Sequence, residues 1–194
     1  LDENELAYDK DYFELGGKYI SPDNQWLAFS TDTLGRRFYR IYIKNLVTGK
    51  ILDHFISNTE GDVAWANDNE TIYYTTKNKI TLLSDNIYRH NIHTDSKKDI
   101  LVYKEEDNEF YIGVYRSKSG KYIIIWNSST LVSDYHILRS DNPEGNFVNF
   151  TPRKAHHEYS IEHQNNKFYI ITNWEAKNNR LMTVSDEMTS IEKW

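Results

Sequence analysis

The chain contains no cysteine, only three prolines and eight glycines, and no long uninterrupted hydrophobic run. The absence of cysteine excludes a disulfide framework and thiolate metal sites, and it fits a reducing compartment. The low proline and glycine content argues against a disordered chain. No apolar segment reaches the ~20 residues that a membrane-spanning helix requires, so we expect no membrane partner.

The chain also has fewer basic than acidic residues. The chain has 23 Lys and Arg against 29 Asp and Glu, which gives a net charge of −6. A nucleic-acid-binding protein needs a basic stripe, so we expect no nucleic-acid partner. A weakly acidic surface is typical of a soluble protein and also tolerates cationic ligands.

Turn-like clusters recur along the chain, and an apolar run typical of a β-strand follows each of them. With Asn24, Asn69, Gly120 and Asn166 as markers, the intervals are 45, 51 and 46 residues. A period in the forties with several strands per unit is typical of a β-propeller. Solenoids of that period are built from helices, and no sustained helical spacing occurs here.

The sequence therefore predicts an all-β fold, a β-propeller segment of about four four-stranded blades within a seven-bladed propeller. Residues 1–13 are predicted to connect into the propeller. The predicted blades span about 14–57, 62–104, 110–152 and 157–194. In the first blade we expect strands at 15–20, 26–31, 38–44 and 50–56, with a loop at 58–61 before the second blade.

The first strand of each predicted blade carries a small residue at a matching place. These residues are Gly17, Ala64, Gly113 and Ser160, at intervals of 47, 49 and 47 residues. The first strand of a propeller blade lines the central axis, and we expect crowding there to favour small side chains.

Three histidines near two glutamates were weighed as a metal site. In a strand, Glu158 and Glu162 share one face, whereas His157 and His163 share the other. His156 completes no compact three-ligand set with them. We therefore interpret the histidines as structural and predict no metal ion and no cofactor.

Several segments resemble the propeller domain of the prolyl oligopeptidase family, and in particular its oligopeptidase B (protease II) branch. The residues that carry the resemblance occur in family order: Leu1-Asp2-Glu3-Asn4-Glu5-Leu6-Ala7, Ser21-Pro22-Asp23-Asn24, Trp65-Ala66-Asn67-Asp68, Tyr88-Arg89-His90 and His157-Glu158-Tyr159-Ser160. Ser-Pro-Asp by itself occurs in many propellers, whereas the later motifs in this order are specific.

The resemblance implies a cytoplasmic, two-domain serine peptidase that cleaves short peptides after Lys or Arg. In this family an α/β-hydrolase domain carries the Ser, Asp and His residues, and the propeller covers it. The chain has no Gly-x-Ser-x-Gly segment, which presents the nucleophile in such domains. We therefore expect the hydrolase domain to be absent, and this chain to hold no catalytic residue and to be inactive alone.

Two charged groups are the candidate site. In up-and-down blades, the loops between the second and third strands lie at the same end as the connections between blades. The candidates there are the basic pair Arg36 and Arg37 and the acidic run Glu105, Glu106, Asp107 and Glu109. We predict that these loops contact the hydrolase domain and that the acidic run attracts short basic peptides.

The alternative interpretation of the charged loops is a solvated surface without a ligand. Two alternative functions also stay open. One is a prolyl oligopeptidase proper, which cleaves after Pro, and the other is a non-enzymatic propeller that binds another protein.

Overall fold

The computed structural model describes all residues, 1–194, as antiparallel sheets with little helix. The helix α1 (Glu3–Ala7) is capped by Asp2, whose carboxylate accepts a hydrogen bond from the Asn4 backbone N–H at 2.9 Å. Short 3₁₀ turns occur at Ser96–Lys98 and Ile191–Lys193. None of the helices is long and apolar enough to span a bilayer.

Fourteen strands form three sheets. In chain order they are β1 Glu14–Ile20, β2 Trp26–Asp32, β3 Tyr39–Asn45, β4 Ile51–Trp65, β5 Thr71–Lys77, β6 Ser84–Asn91, β7 Ile100–Lys104, β8 Tyr111–Arg116, β9 Tyr122–Ser128, β10 Ser133–Arg139, β11 Val148–Asn149, β12 Tyr159–Gln164, β13 Lys167–Thr172 and β14 Arg180–Ser185. The sheets run β1 to β7, β8 to β11 and β12 to β14, each between sequential neighbours. The predicted all-β propeller fold is confirmed.

The first two blades share strand β4. Its first half pairs with β3 and its second half with β5, and Thr59 pairs with both Tyr39 and Thr76. The sequence predicts a loop at 58–61, and that prediction is wrong because β4 runs from Ile51 to Trp65. Asn58 and Gly61 have positive φ, as turn residues do, but here they bend a continuous strand at register shifts of the kind that β-bulges produce.

The fourth blade has three strands, β12 to β14, whereas the sequence predicts four. After Ser185 the chain forms turns and a 3₁₀ turn, and Trp194 ends against blades three and four. Its ring lies 6.0 Å from that of Phe150 and 5.3 Å from that of Tyr159. The last residues therefore pack between the blades instead of extending the sheet.

The core consists of three hydrophobic clusters, one between each pair of neighbouring blades. Strand β9 shows how one strand serves two clusters. Ile123 and Ile125 pack in the cluster shared with blade two, whereas Tyr122 and Ile124 pack in the cluster shared with blade four. Because successive side chains point to opposite faces and both faces are buried, residues 122–126 of this strand are all apolar.

Hydrogen bonds from buried aromatic side chains connect the blades. The Trp65 Nε1–H donates to the Tyr19 carbonyl of blade one at 2.9 Å. The Tyr115 hydroxyl donates to the Ile161 carbonyl of blade four at 2.6 Å. Each bond spans 46 residues, so it links equivalent places in consecutive blades.

The small residues of the first strands face large residues on the second strands. Gly113 pairs with Trp126, and Ala64 pairs with Tyr73. A Cβ atom on Gly113 would lie 2.5 to 2.7 Å from atoms of the Trp126 indole. At these two positions a small residue leaves room for the neighbouring aromatic ring, a reason different from the axial crowding that we predicted.

We expect Gly113→Ala to lower the free energy of unfolding by about 1–3 kcal/mol, because the methyl group overlaps the indole ring. Thermal unfolding followed by circular dichroism would measure the loss. The double variant Gly113→Ala, Trp126→Leu is the control, since it removes the ring that clashes. Equal stability of Gly113→Ala and the wild type would contradict the role given to this contact.

Candidate functional site

Among the loops predicted to form the site, those of blades one and two contact each other and strand β4. The Lys77 ammonium at the end of β5 donates to the Arg37 carbonyl at 3.1 Å and forms an ion pair with Glu60 at 3.0 Å. Glu60 also accepts a hydrogen bond from the Ser84 hydroxyl. In blades one and two, the loop between the second and third strands is thereby joined to Glu60. This residue lies where β4 passes from blade one to blade two.

The loop 33–37 is held by one buried carboxylate. The Oδ1 atom of Asp32 accepts from the backbone N–H groups of Leu34 and Gly35, and its Oδ2 atom accepts from those of Arg36 and Arg37, at 2.7 to 3.2 Å. The Asp32 side chain is thereby satisfied inside the protein, while the Arg36 and Arg37 side chains stay exposed. The basic pair is thus presented on a loop whose backbone is fixed.

The acidic run divides into one buried and three exposed members. The Glu105 carboxylate is buried and accepts from Arg153 at 2.7 Å and from the Asp107 backbone N–H at 3.0 Å. Glu106 is exposed and pairs with Lys104 at 2.8 Å. Asp107 and Glu109 are also exposed. Attraction of basic peptides therefore stays a prediction for the exposed members, whereas Glu105 has structural contacts.

Arg153 connects three segments of this end. Its guanidinium forms ion pairs with Glu105 and with Asp134 at the start of β10, and it lies 3.7 Å from the centroid of the Phe110 ring. The side chains of Glu105 and Asp134 are only 8% and 1% exposed. Removing a single partner from such a group leaves a buried charge uncompensated.

The electrostatics of Asp134 follow from its neighbours. Burial opposes its ionisation, but hydrogen bonds from His136, Asn127 and Arg153 outweigh burial and hold its pKa below the ordinary value. Burial also lowers the Arg153 pKa, yet its bonds to Glu105 and Asp134 raise it overall. Asp134 and Arg153 are therefore both charged at neutral pH.

The sequence interpretation did not identify Asp32 or Asp134. Asp32 ends a strand that is almost entirely buried, and Asp134 is the second residue of β10. A charged residue is rarely fully buried without a partner, so the strand context of Asp32 is a signal that would have found it. The partners of Asp134 come from β9, β10 and the loop at Arg153, and no motif marks this combination.

A cleft of about 610 Å³ opens at this end beside the acidic run. Residues 108–109 and Tyr111 line it from the connection between blades two and three. The loop 129–132 and residues 155–156 line it from blade three and from the connection to blade four. Glu109 is the member of the acidic run that reaches the cleft.

The histidines weighed as metal ligands have protein partners. His157 Nε2 lies 2.9 Å from the Thr172 hydroxyl, and His163 lies 2.6 Å from Ser119 Oγ and 3.2 Å from Asp186 Oδ2. His157 and His163 are buried and His156 is exposed. No group of three His, Cys, Asp or Glu residues is arranged to hold a metal ion.

Burial lowers the pKa of both His157 and His163 below the ordinary value. The unfolded chain therefore takes up protons at these positions at a higher pH than the folded chain. We expect full stability from these two groups above about pH 6.5 and a progressive loss as the pH falls below it.

Thermal unfolding measured between about pH 7.5 and about pH 5 would test this loss. The double variant His157→Gln, His163→Gln is expected to show a flatter dependence in that window. An equally steep dependence in the double variant would assign the effect to other groups.

The family of the chain follows from its match to a protein-family model. The model of the "Prolyl oligopeptidase, N-terminal beta-propeller domain" matches residues 1–194, the whole chain.

The chain belongs to the prolyl oligopeptidase family.

Curated relatives of this prolyl oligopeptidase propeller are full-length peptidases. The chain is 38% identical to dipeptidyl aminopeptidase BI of Pseudoxanthomonas mexicana, covering 100% of the chain and 27% of that protein. It is 31% identical to Protease 2 of Moraxella lacunata, covering 94% of the chain and 26% of that protein. The chain thus spans about a quarter of the length of these relatives.

Solved structures of the family have the same fold. Oligopeptidase B from Leishmania major superposes with a TM-score of 0.89 at 22% identity, over 96% of this chain and 27% of that one. Oligopeptidase B from Trypanosoma brucei superposes with a TM-score of 0.86 at 26% identity, over 97% and 27%. The resemblance inferred from the sequence motifs is confirmed.

Proposed function

We propose that the chain is the substrate-filtering propeller of a cytoplasmic serine peptidase that cleaves short peptides after Lys or Arg. The observation that carries the proposal is the family match over the whole chain, together with relatives that are peptidases about four times as long. In this role the propeller covers the α/β-hydrolase domain, admits short peptides and excludes folded proteins. The absence of cysteine is compatible with a reducing compartment.

Exposed aliphatic side chains support a covered surface at the loop end. Blades one and two present them on the loops between their second and third strands. These residues are Leu34 at 65% exposure, Ile80 at 92% and Leu82 at 57%. Apolar side chains grouped at one end of a molecule are typical of an interaction site, and we propose the hydrolase domain as the partner.

The charged loops support the preference for basic peptides. Glu106, Asp107 and Glu109 place carboxylates at the same end as the aliphatic tips, and Arg36 and Arg37 lie there on the loop of blade one. An acidic surface beside the entrance raises the local concentration of cationic peptides. The basic pair is proposed to contact the hydrolase domain.

A second candidate is an aminopeptidase that releases dipeptides. It is favoured by the 38% identity to dipeptidyl aminopeptidase BI. Such an enzyme requires a free peptide amine, whereas an endopeptidase accepts a blocked one. The two candidates therefore differ in a property that peptide substrates report.

The test is cleavage by the full-length protein that contains this chain. Fluorogenic peptides with Arg, Lys or Pro before the scissile bond are compared, each with a free and an acetylated N-terminus, beside an intact folded protein. Cleavage of acetylated Arg and Lys peptides, with the folded protein spared, is the expected result. A strict need for the free amine would favour the second candidate, cleavage only after Pro would assign a prolyl oligopeptidase proper, and no cleavage would favour a binding propeller.

A further inference from the structure

The cleft beside the acidic run is built from three separate segments of the chain. Residues 108–109 and Tyr111 form one wall, the loop 129–132 forms another, and residues 155–156 form the third. Its volume of about 610 Å³ is large enough for a few amino-acid residues of a peptide. Its lining mixes the Glu109 carboxylate, the Asn108 amide, the His156 imidazole, hydroxyl groups, an aromatic ring and aliphatic carbon.

Arg153 holds the three walls together. It lies next to the third wall and binds Glu105, which precedes the first wall, and Asp134, which follows the second. Its guanidinium also packs on Phe110, between Glu109 and Tyr111 in sequence. Because the ion pairs are charge-assisted and their carboxylates are buried, they fix the walls before a ligand binds, which reduces the entropy lost on binding.

The charge around the cleft is negative. The single positive charge of Arg153 is matched by two carboxylates, Glu105 and Asp134. Glu109 forms no ion pair and its side chain lines the cleft. Lys154 precedes the cleft residue Ala155 in sequence but does not line the cleft. Its ammonium lies 3.6 Å from the centroid of the Trp174 ring. An unneutralised carboxylate in this position favours a cationic ligand.

The apolar residues that line the cleft indicate which kind of cation it would bind. Tyr111 is 60% exposed and Leu131 is 50% exposed, although both are large and both line the cleft. A ring face attracts an organic cation, and aliphatic carbon packs against the methylene stem that carries it. An amphipathic cation fits this lining better than an inorganic ion does.

We propose that this cleft binds the cationic group of a short peptide, with the Glu109 carboxylate as its counter-ion. The inference rests on the proposed peptidase function and adds a subsite to it. The cation is either the α-amino group of the peptide or a Lys or Arg side chain upstream of the scissile bond. Tyr111 and Leu131 contact the adjoining carbon chain.

The experiment measures peptide binding by the full-length protein with isothermal titration calorimetry. Peptides carry an N-methylated scissile bond to prevent cleavage and the same arginine before it. One pair differs only in lysine or norleucine upstream, and a second pair differs only in a free or an acetylated N-terminus. Glu109→Gln is compared with the matched control Glu192→Gln, which alters an exposed carboxylate away from the cleft.

We expect Glu109→Gln to weaken binding of the cationic peptide of one pair by about three- to fivefold, as for an exposed ion pair. The other peptide of that pair, which lacks the varied positive charge, is expected to bind Glu109→Gln as tightly as it binds the wild type. The Glu192→Gln protein is expected to bind all the peptides with wild-type affinity. The lysine pair responds if the side chain is the ligand, and the N-terminal pair responds if the α-amino group is.

Two results would overturn the inference, and they are distinguishable. Unchanged affinity in Glu109→Gln for every peptide, with cleavage after Arg and Lys intact, removes the cleft subsite and leaves the proposed function standing. Failure of the wild-type protein to bind or cleave any peptide removes the proposed function and the subsite together.

Discussion

Arg153→Ala is expected to lower the free energy of unfolding by about 3 kcal/mol, because it leaves two buried carboxylates without their cation. Glu105 and Asp134 are 8% and 1% exposed and the Arg153 side chain is 33% exposed, so water entering the truncated site hydrates the two carboxylates only in part. For a domain of this size each kcal/mol corresponds to about 2–4 °C in Tm. Thermal unfolding followed by circular dichroism would measure a shift of several degrees.

Two controls separate charge from packing at this position. Arg153→Lys keeps the charge but not the planar fork that serves both carboxylates, so an intermediate loss is expected. Arg153→Ala combined with Asp134→Asn removes a carboxylate charge as well and is expected to recover part of the stability. An Arg153→Ala protein as stable as the wild type would refute the claim that this residue joins the three segments.

The second large effect is expected for Trp65→Ala, with a loss of about 3–5 kcal/mol. The ring is 2% exposed in the cluster between blades one and two, and its Nε1–H satisfies the Tyr19 carbonyl at 2.9 Å. The substitution creates a cavity and removes a hydrogen bond between blades. Chemical unfolding in urea would report the loss as a lower midpoint.

Trp65→Phe is the matched variant, since it keeps an aromatic ring and removes the indole N–H. We expect it to lose about 0.5–1.5 kcal/mol, near the net contribution of one hydrogen bond. Tyr8→Ala, at a residue 81% exposed, should change stability by less than about 0.5 kcal/mol. Similar midpoints for Trp65→Ala and Tyr8→Ala would be incompatible with the packing described here.

The strands were predictable from the sequence because their side-chain periodicity is local. Tyr39, Ile41 and Ile43 alternate with polar residues, and they lie on β3 as predicted. The opposite faces predicted for Glu162 and His163 are also found on β12, where His163 is buried and Glu162 is half-buried. Because successive side chains of a strand point to opposite faces, the face of each residue follows from its position in the strand and needs no knowledge of tertiary contacts.

The environment of the charged residues was not predictable in the same way. Glu105 and Glu106 are neighbours in an acidic run, yet one is buried and the other is exposed. The difference arises from Arg153, which is 48 residues away along the chain. Asn58 and Gly61 have the composition of a turn, and only the two flanking partner strands show that β4 continues through them.

Strand β4 has a mechanical consequence. It carries the hydrogen-bond ladders of blades one and two on one unbroken backbone, so separating these blades would require breaking ladder bonds at Thr59. Blades two and three, and blades three and four, belong to different sheets and meet through side chains and loops. When the protein fluctuates thermally or is deformed, we expect the first two blades to move as one rigid body. The interfaces of blade three with blades two and four are expected to separate first.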